Sequence, residues 1–128
     1  MQEILKATDI FKSYRLGHSR IEVLKGLSLS VAEGEFLAVV GASGSGKSTM
    51  LHIFGSLDRS DKGSVEFKGR DLRGYSGGEL NVFRNQRIGF VFQFYHLLDE
   101  LNIVENTMIP AMACSGIFGW AGRRGEVK

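Results

Sequence analysis

The stretch Gly41-Ala42-Ser43-Gly44-Ser45-Gly46-Lys47-Ser48-Thr49 constrains this chain more than any other. It fits the phosphate-loop pattern G-x-x-x-x-G-K-[ST], with Gly41, Gly46, Lys47 and Ser48 at the fixed places. Its flanks agree with that reading. Phe36-Leu37-Ala38-Val39-Val40 is an apolar run of strand length and is expected to be a buried strand. Ser48 to Phe54 is expected to be a helix, with Met50, Leu51, Ile53 and Phe54 packed on a sheet. Strand, glycine loop and helix together turn backbone N–H groups and a helix N-terminus toward an anion. The ligand this implies is a nucleotide triphosphate.

Each residue type in the loop has a chemical reason. Glycines let the backbone curl around phosphate oxygens that Cβ atoms would obstruct. Lys47 supplies a positive charge able to reach the β- and γ-phosphates. Ser48 offers a hydroxyl oxygen to Mg²⁺, a hard cation that keeps several waters. Thr49 falls in the first helical turn, where its N–H points at the α-phosphate. The candidate nucleotide contacts are therefore Gly41, Ser43, Gly44, Ser45, Gly46, Lys47, Ser48 and Thr49.

The 128 residues suit one domain with its own core and are too few for two ordinary ones. A net charge of +2 is too small to argue for nucleic acid, and Arg123, Arg124 and Lys128 read as a solvated tail. Cys114 is the only cysteine, so no intrachain disulfide framework exists; a reducing compartment and a filler role for the thiol fit best. The N-terminus lacks the layout of a signal peptide. The longest uncharged stretch, Ile109 to Gly122, contains Pro110 and three glycines and is too short and broken to span a membrane. A cytoplasmic location is expected, with any membrane link running through a partner.

The first third reads as β-rich. Strands are expected at Ile4 to Ile10, Ile21 to Leu24 and Leu27 to Val31, with a polar turn at Leu16 to Arg20 and another at Ala32 to Glu35. Asp58 to Gly63 is a polar connection, and Ser64 to Phe67 is an alternating strand closed by Lys68-Gly69-Arg70. Ser76 and Glu79 form the S-x-x-E arrangement of a capping box ahead of a helix whose inward stripe is Leu80 and Phe83. Ile88 to Phe92 is an apolar run of strand length ending at Gln93. Asn102 is placed to cap a further helix that Pro110 should bend or interrupt. The fold class is α/β, a partial phosphate-loop NTPase core with an N-terminal antiparallel β-subdomain.

Tyr14 within the β-rich start, then the phosphate loop, then a strand ending in Gln93 followed by Phe94-Tyr95-His96-Leu97-Leu98, stand in an order that resembles the nucleotide-binding domain of ATP-binding cassette (ABC) transporters. Arg84-Asn85-Gln86-Arg87-Ile88-Gly89-Phe90-Val91-Phe92-Gln93-Phe94 and Glu105-Asn106 are similar to the subfamily that powers lipoprotein release, with macrolide-export and cell-division ATPases as near relatives. Tyr95 stands where that subfamily usually shows histidine, and Asp99 where proline is common.

The resemblance implies a set of roles. Tyr14 would stack on adenine, which needs only a flat π face. Gln93 would reach the Mg²⁺ and the attacking water, and sense the coupling helix of the membrane subunit; an amide offers an acceptor and donors without charge. Lys47 and Gln93 are thus the catalytic candidates, and Ser48 and Gln93 the metal candidates. Phe94 to Glu100 would grip the membrane subunit. Tyr75-Ser76-Gly77-Gly78-Glu79 looks like the family's Leu-Ser-Gly-Gly-Gln signature, but it precedes Gln93 instead of following it, so it is expected to be a loop and helix cap.

The family's domain is roughly twice this long. Its true signature, its Walker B strand ending in Asp-Glu and its switch histidine do not occur in this sequence, so residues 1–128 read as the N-terminal portion of an ABC-type ATP-binding domain. Strands awaiting partners would leave open edges and a marginal, aggregation-prone product. The implied cofactors are ATP and Mg²⁺. The implied partners are transmembrane permease subunits and, in the full-length protein, a second copy of the ATP-binding subunit, peripheral on the inner face of the cell membrane. The function implied is coupling of ATP binding and hydrolysis to lipoprotein release or export. The alternative is a truncated module that binds ATP without turnover; an unrelated phosphate-loop kinase or GTPase is disfavoured by Tyr14 and the β-rich start.

Overall fold

The computed structural model describes residues 2–119, and the side chains of residues 2–113. Cys114 and the basic residues Arg123, Arg124 and Lys128 fall outside that description. The chain divides after Leu80 into two compact units.

The first unit is built on a long hairpin. Strand β1 (Glu3–Leu16) pairs antiparallel with β2 (Ser19–Ala32) through a turn at Gly17 and His18. The expected separate strands at Ile21 to Leu24 and Leu27 to Val31 are one continuous strand, because register shifts between Ala7 and Lys12 absorb the irregularity at Gly26 without breaking the ladder. Strand β3 (Lys62–Phe67) pairs on the other side of β1, and the short β4 (Arg70–Asp71) pairs with β3, giving the order β2-β1-β3-β4. Lys68 and Gly69 both sit at positive φ in the tight turn between β3 and β4, the backbone that two-residue hairpin loops require.

Helix α1 (Lys47–Phe54) covers this sheet. Met50, Ile53 and Phe54 are buried, at i, i+3 and i+4, together with Ala7, Ile10, Leu24, Val65 and Leu72. Leu51, expected on the inward face, is 51% exposed: it lies one position on from Met50, about 100° around the helix.

Two further expectations fail together. Phe36 to Val40 and Ile88 to Phe92 carry no strand assignment, and Phe36, Val40 and Val91 are almost fully exposed. The reason is physical. An isolated apolar run is a strand only when neighbours supply its ladder, and no described segment pairs with either. The parallel part of the predicted α/β core is thus not formed among the described residues.

Helix α2 (Gly77–Gln86) starts at the predicted capping box. The Ser76 N–H donates to Glu79 Oε2 at 2.7 Å, and the Glu79 N–H donates to Ser76 Oγ at 3.3 Å. The Tyr75-Ser76-Gly77-Gly78-Glu79 segment is therefore a loop and cap, as read. Leu80 and Phe83 are both buried. In the second unit, helix α3 (Ile103–Gly119) begins with a reciprocal pair: the Glu105 N–H donates to Asn102 Oδ1 at 2.9 Å and the Asn102 N–H to Glu105 Oε2 at 3.0 Å. Pro110 does not interrupt it. Only one rung is lost at a proline. Met108, 2% exposed, anchors the adjoining turn, and Asn85 Nδ2 donates to the Pro110 carbonyl at 2.7 Å.

Gly63 allows β3 to cross the bulge in β1. It has φ +87°, and a Cβ there would lie 2.2 Å from the Asp9 carbonyl oxygen and 2.4 Å from that of Thr8. Gly63→Ala should lower stability by roughly 2 kcal/mol or more in denaturant unfolding; an unchanged midpoint would show that β1 and β3 separate at no cost.

Glu79 gives a pH test. The Ser76 backbone N–H, then Arg70 and the Ser76 hydroxyl, lower its carboxyl from 4.5 to about 2. A depressed carboxylate contributes stability above its unfolded pKa and loses it as pH falls through the folded value. The stability gap between wild type and Glu79→Gln should be complete above pH 4.5 and fade toward pH 2. A gap that does not vary with pH would assign the cap's strength to something other than this charge.

Candidate functional site

The phosphate loop wraps its own lysine. Lys47 Nζ donates to the carbonyls of Gly41 at 2.8 Å and Ala42 at 2.7 Å, with Ser45 Oγ at 3.3 Å. The loop backbone turns at Ala42 to Ser45, where the Ser45 N–H donates to the Ala42 carbonyl at 3.2 Å. The ammonium is thereby centred inside the curl of the backbone. A phosphate oxygen would bring full negative charge to an ammonium now held by neutral carbonyls, adding the attraction of opposite charges to a bond that is already charge-assisted.

The start of α1 supplies the other donors. Its first internal rung runs from the Met50 N–H to the Gly46 carbonyl at 2.9 Å, so the N–H groups of Lys47, Ser48 and Thr49 precede the ladder. No side chain caps this end. Gly46 has φ +91°, and a Cβ there would come within 2.9 Å of Leu24 Cδ2 and 3.1 Å of the Val23 carbonyl. The glycine thus lets the loop lie directly on β2. Of the candidate contacts, Gly41, Ser43, Gly44, Ser45 and Ser48 are exposed, Lys47 and Thr49 are half-buried, and Gly46 is buried.

Tyr14 is 40% exposed near the end of β1. Its hydroxyl donates to Asp58 Oδ2 at 2.7 Å. Burial and that carboxylate raise the phenol above its ordinary value, while a hydrogen bond from the Thr49 side chain works to lower it. Tyr14 and the first turn of α1 are therefore neighbours, as the sequence order alone could not show. Lys12 Nζ bonds Asp58 Oδ1 at 2.7 Å and the Arg59 carbonyl at 2.6 Å, and lies 4.9 Å from the centre of the Tyr14 ring. Burial alone would raise Asp58; the bonds from Lys12, Tyr14 and the Arg59 N–H outweigh it and hold the carboxyl below its usual range. Asp61 Oδ2 accepts from the Ser13 N–H at 2.9 Å and Ser13 Oγ at 2.6 Å, so the connection between α1 and β3 is tied to the strand carrying Tyr14. Lys12, Asp58 and Asp61 are not legible as site residues in the sequence; the one available signal is that Lys12 and Tyr14, two apart, share a face of a strand.

Gln93 belongs to the second unit, exposed and outside any helix or strand. After it, Phe94, Tyr95 and Leu97 are 71%, 91% and 63% exposed. Phe92 packs edge-on against His96 at 4.7 Å, and stacks with Phe90 at 5.4 Å. Asn106 fixes the far end of this segment. Its Oδ1 accepts from the Leu98 N–H at 2.9 Å, and its Nδ2 donates to the carbonyls of Leu98, Leu101 and Asn102 at 3.1, 2.9 and 3.1 Å.

Ser48 presents an exposed hydroxyl at the first turn of α1, and the described residues contain no cluster of three His, Cys, Asp or Glu able to cage a metal. Among the described residues, no helix is long and apolar enough to cross a membrane.

The profile of the ABC transporter family matches residues 24–126. The chain belongs to that family. A lipoprotein-releasing system ATP-binding protein, LolD, of Cytophaga hutchinsonii is 54% identical over 112 residues, covering 88% of this chain and 49% of that protein. The macrolide export ATP-binding/permease protein MacB of Chlorobaculum tepidum is 38% identical over 98% of this chain and 18% of its own length. Among solved structures, the dimeric post-hydrolysis state of the ATP-binding cassette MJ0796, bound to ADP and Pi, superposes with a TM-score of 0.83 at 36% identity, over 97% of this chain and 54% of that one. The chain spans about half the length of the LolD relatives it matches. The fold is accordingly a partial phosphate-loop NTPase α/β fold with an antiparallel sheet at its N-terminus.

Removing the Asn106 amide should free the segment it holds. In Asn106→Ala, amide exchange at Leu98 should accelerate by about tenfold or more. An unchanged rate would mean that the segment is ordered by other contacts.

Proposed function

We propose that this chain is the nucleotide-gripping part of an ATP-binding subunit that couples ATP binding and hydrolysis to transmembrane permease subunits, in lipoprotein release or export. The observation that carries the reading is the loop itself: Lys47 Nζ is centred between the Gly41 and Ala42 carbonyls, beside the uncapped start of α1. The identity to LolD proteins supports the choice of cargo class.

In this reading the N–H groups of the loop and of Lys47, Ser48 and Thr49 receive phosphate oxygens, and the Lys47 ammonium moves from carbonyls to the β- and γ-phosphates. Charge on the triphosphate is balanced by a fixed cation and by backbone dipoles already in place. The Tyr14 ring stacks on the adenine. Ser48 and Gln93 are the residues that would hold Mg²⁺, which when bound neutralises charge on the phosphate oxygens. Gln93 also orients water by its amide and, with Phe94 to Glu100, meets the permease. The exposed aromatic and aliphatic side chains of that segment support a partner there. A second copy of the subunit completes the site, a reading supported by the dimeric cassette MJ0796.

Replacing Lys47 with alanine should weaken Mg-ATP binding at least about tenfold, since a charge-assisted bond to phosphate is lost. Titration calorimetry decides it, and wild-type affinity in the variant would remove the central claim.

A further inference from the structure

Tyr14 is anchored at both its polar end and its ring, and both anchors trace to one carboxylate. Its hydroxyl donates to Asp58 Oδ2 at 2.7 Å, while Lys12, gripping Asp58 Oδ1 at 2.7 Å, sets its ammonium 4.9 Å from the ring centre. Lys12 is itself fixed: its side chain is only 10% exposed, and it donates a second bond to the Arg59 carbonyl at 2.6 Å. The three side chains make a closed triangle joining β1 to the connection after α1. An exposed strand tyrosine normally turns between side-chain rotamers, and stacking on a planar base would have to select one of them. Here the selection is made beforehand.

We propose that Asp58, backed by Lys12, is a positioning residue for the nucleotide base: it holds the Tyr14 ring in the orientation that receives the purine. This rests on the reading that Tyr14 stacks on the base. Asp58 touches neither phosphate nor base in this role. It follows that its contribution belongs to the base-dependent part of affinity and not to the triphosphate part.

The test compares two ligands, Mg-ATP and Mg-tripolyphosphate, by titration calorimetry on wild type, Asp58→Ala, Tyr14→Phe, the double variant and Tyr14→Ala. The readout is the ratio of the two affinities. Asp58→Ala and Tyr14→Phe should each lower the preference for ATP by about three- to tenfold and leave tripolyphosphate affinity unchanged. The double variant should lose no more than Asp58→Ala alone, because the hydrogen bond removed in Tyr14→Phe is already gone there. Tyr14→Phe keeps the Lys12–Asp58 pair and the ring, so it tests the anchor even where Asp58→Ala perturbs the fold. Equal weakening of both ligands in Asp58→Ala would overturn the proposal, as would a wild-type ratio in Tyr14→Phe or losses that multiply in the double variant. A wild-type ratio in Tyr14→Ala would instead show that the ring never meets the base, and the stacking reading would fall together with the proposal.

Discussion

The phosphate loop rests on the sheet at Gly46, where a φ of +91° and a tight approach to β2 both favour glycine. There the backbone lies against Leu24 and Val23 of β2, so closely that a methyl group would crowd both. This approach sets where α1 begins. It also sets which face of α1 turns inward, burying Met50, Ile53 and Phe54. The donors that precede the helical ladder are consequently aimed by packing. Burial of that apolar face is the larger driving force, at about 25 cal/mol for each Å² removed from water. The glycine lets that burial be reached without strain.

The hairpin of the first unit supplies the other constraint. β1 pairs on both edges, with β2 and with β3, and carries Lys12, Ser13 and Tyr14 at its far end. Two aspartates in the connection after α1 reach back to those residues. The path from Tyr14 to the connection after α1 thus runs through short polar contacts as well as through the sheet. A side chain remote from the loop in sequence becomes part of its surroundings. Exposed ion pairs contribute little to stability, but Lys12 and Asp58 are largely covered, and geometry is where such a pair has its effect.

Local chemistry was the most legible part. The capping box at Ser76 and Glu79, the reciprocal pair at Asn102 and Glu105, and the tight turn at Lys68-Gly69 each involve neighbours a few residues apart, so the sequence pattern contains all the partners. The unpaired runs Phe36 to Val40 and Ile88 to Phe92 were misread for the opposite reason. Apolar content and length are properties of a segment, whereas a strand is a relation between segments. Leu51 shows a milder version: a short helix with four apolar residues in five has more than one possible inward face, and packing on β2 selected one.

What the sequence determined by itself was the phosphate loop, the caps and the β-rich start, because glycine freedom, lysine charge and side-chain-to-backbone bonds act within a few residues. Tertiary structure alone decided that Tyr14 meets Asp58, and that Lys12 and Asp58 together hold its ring. Those residues are more than forty positions apart for the Tyr14–Asp58 bond. Only the closing of the sheet over α1 brings them within a hydrogen bond's reach, and no spacing rule along the chain encodes that closure.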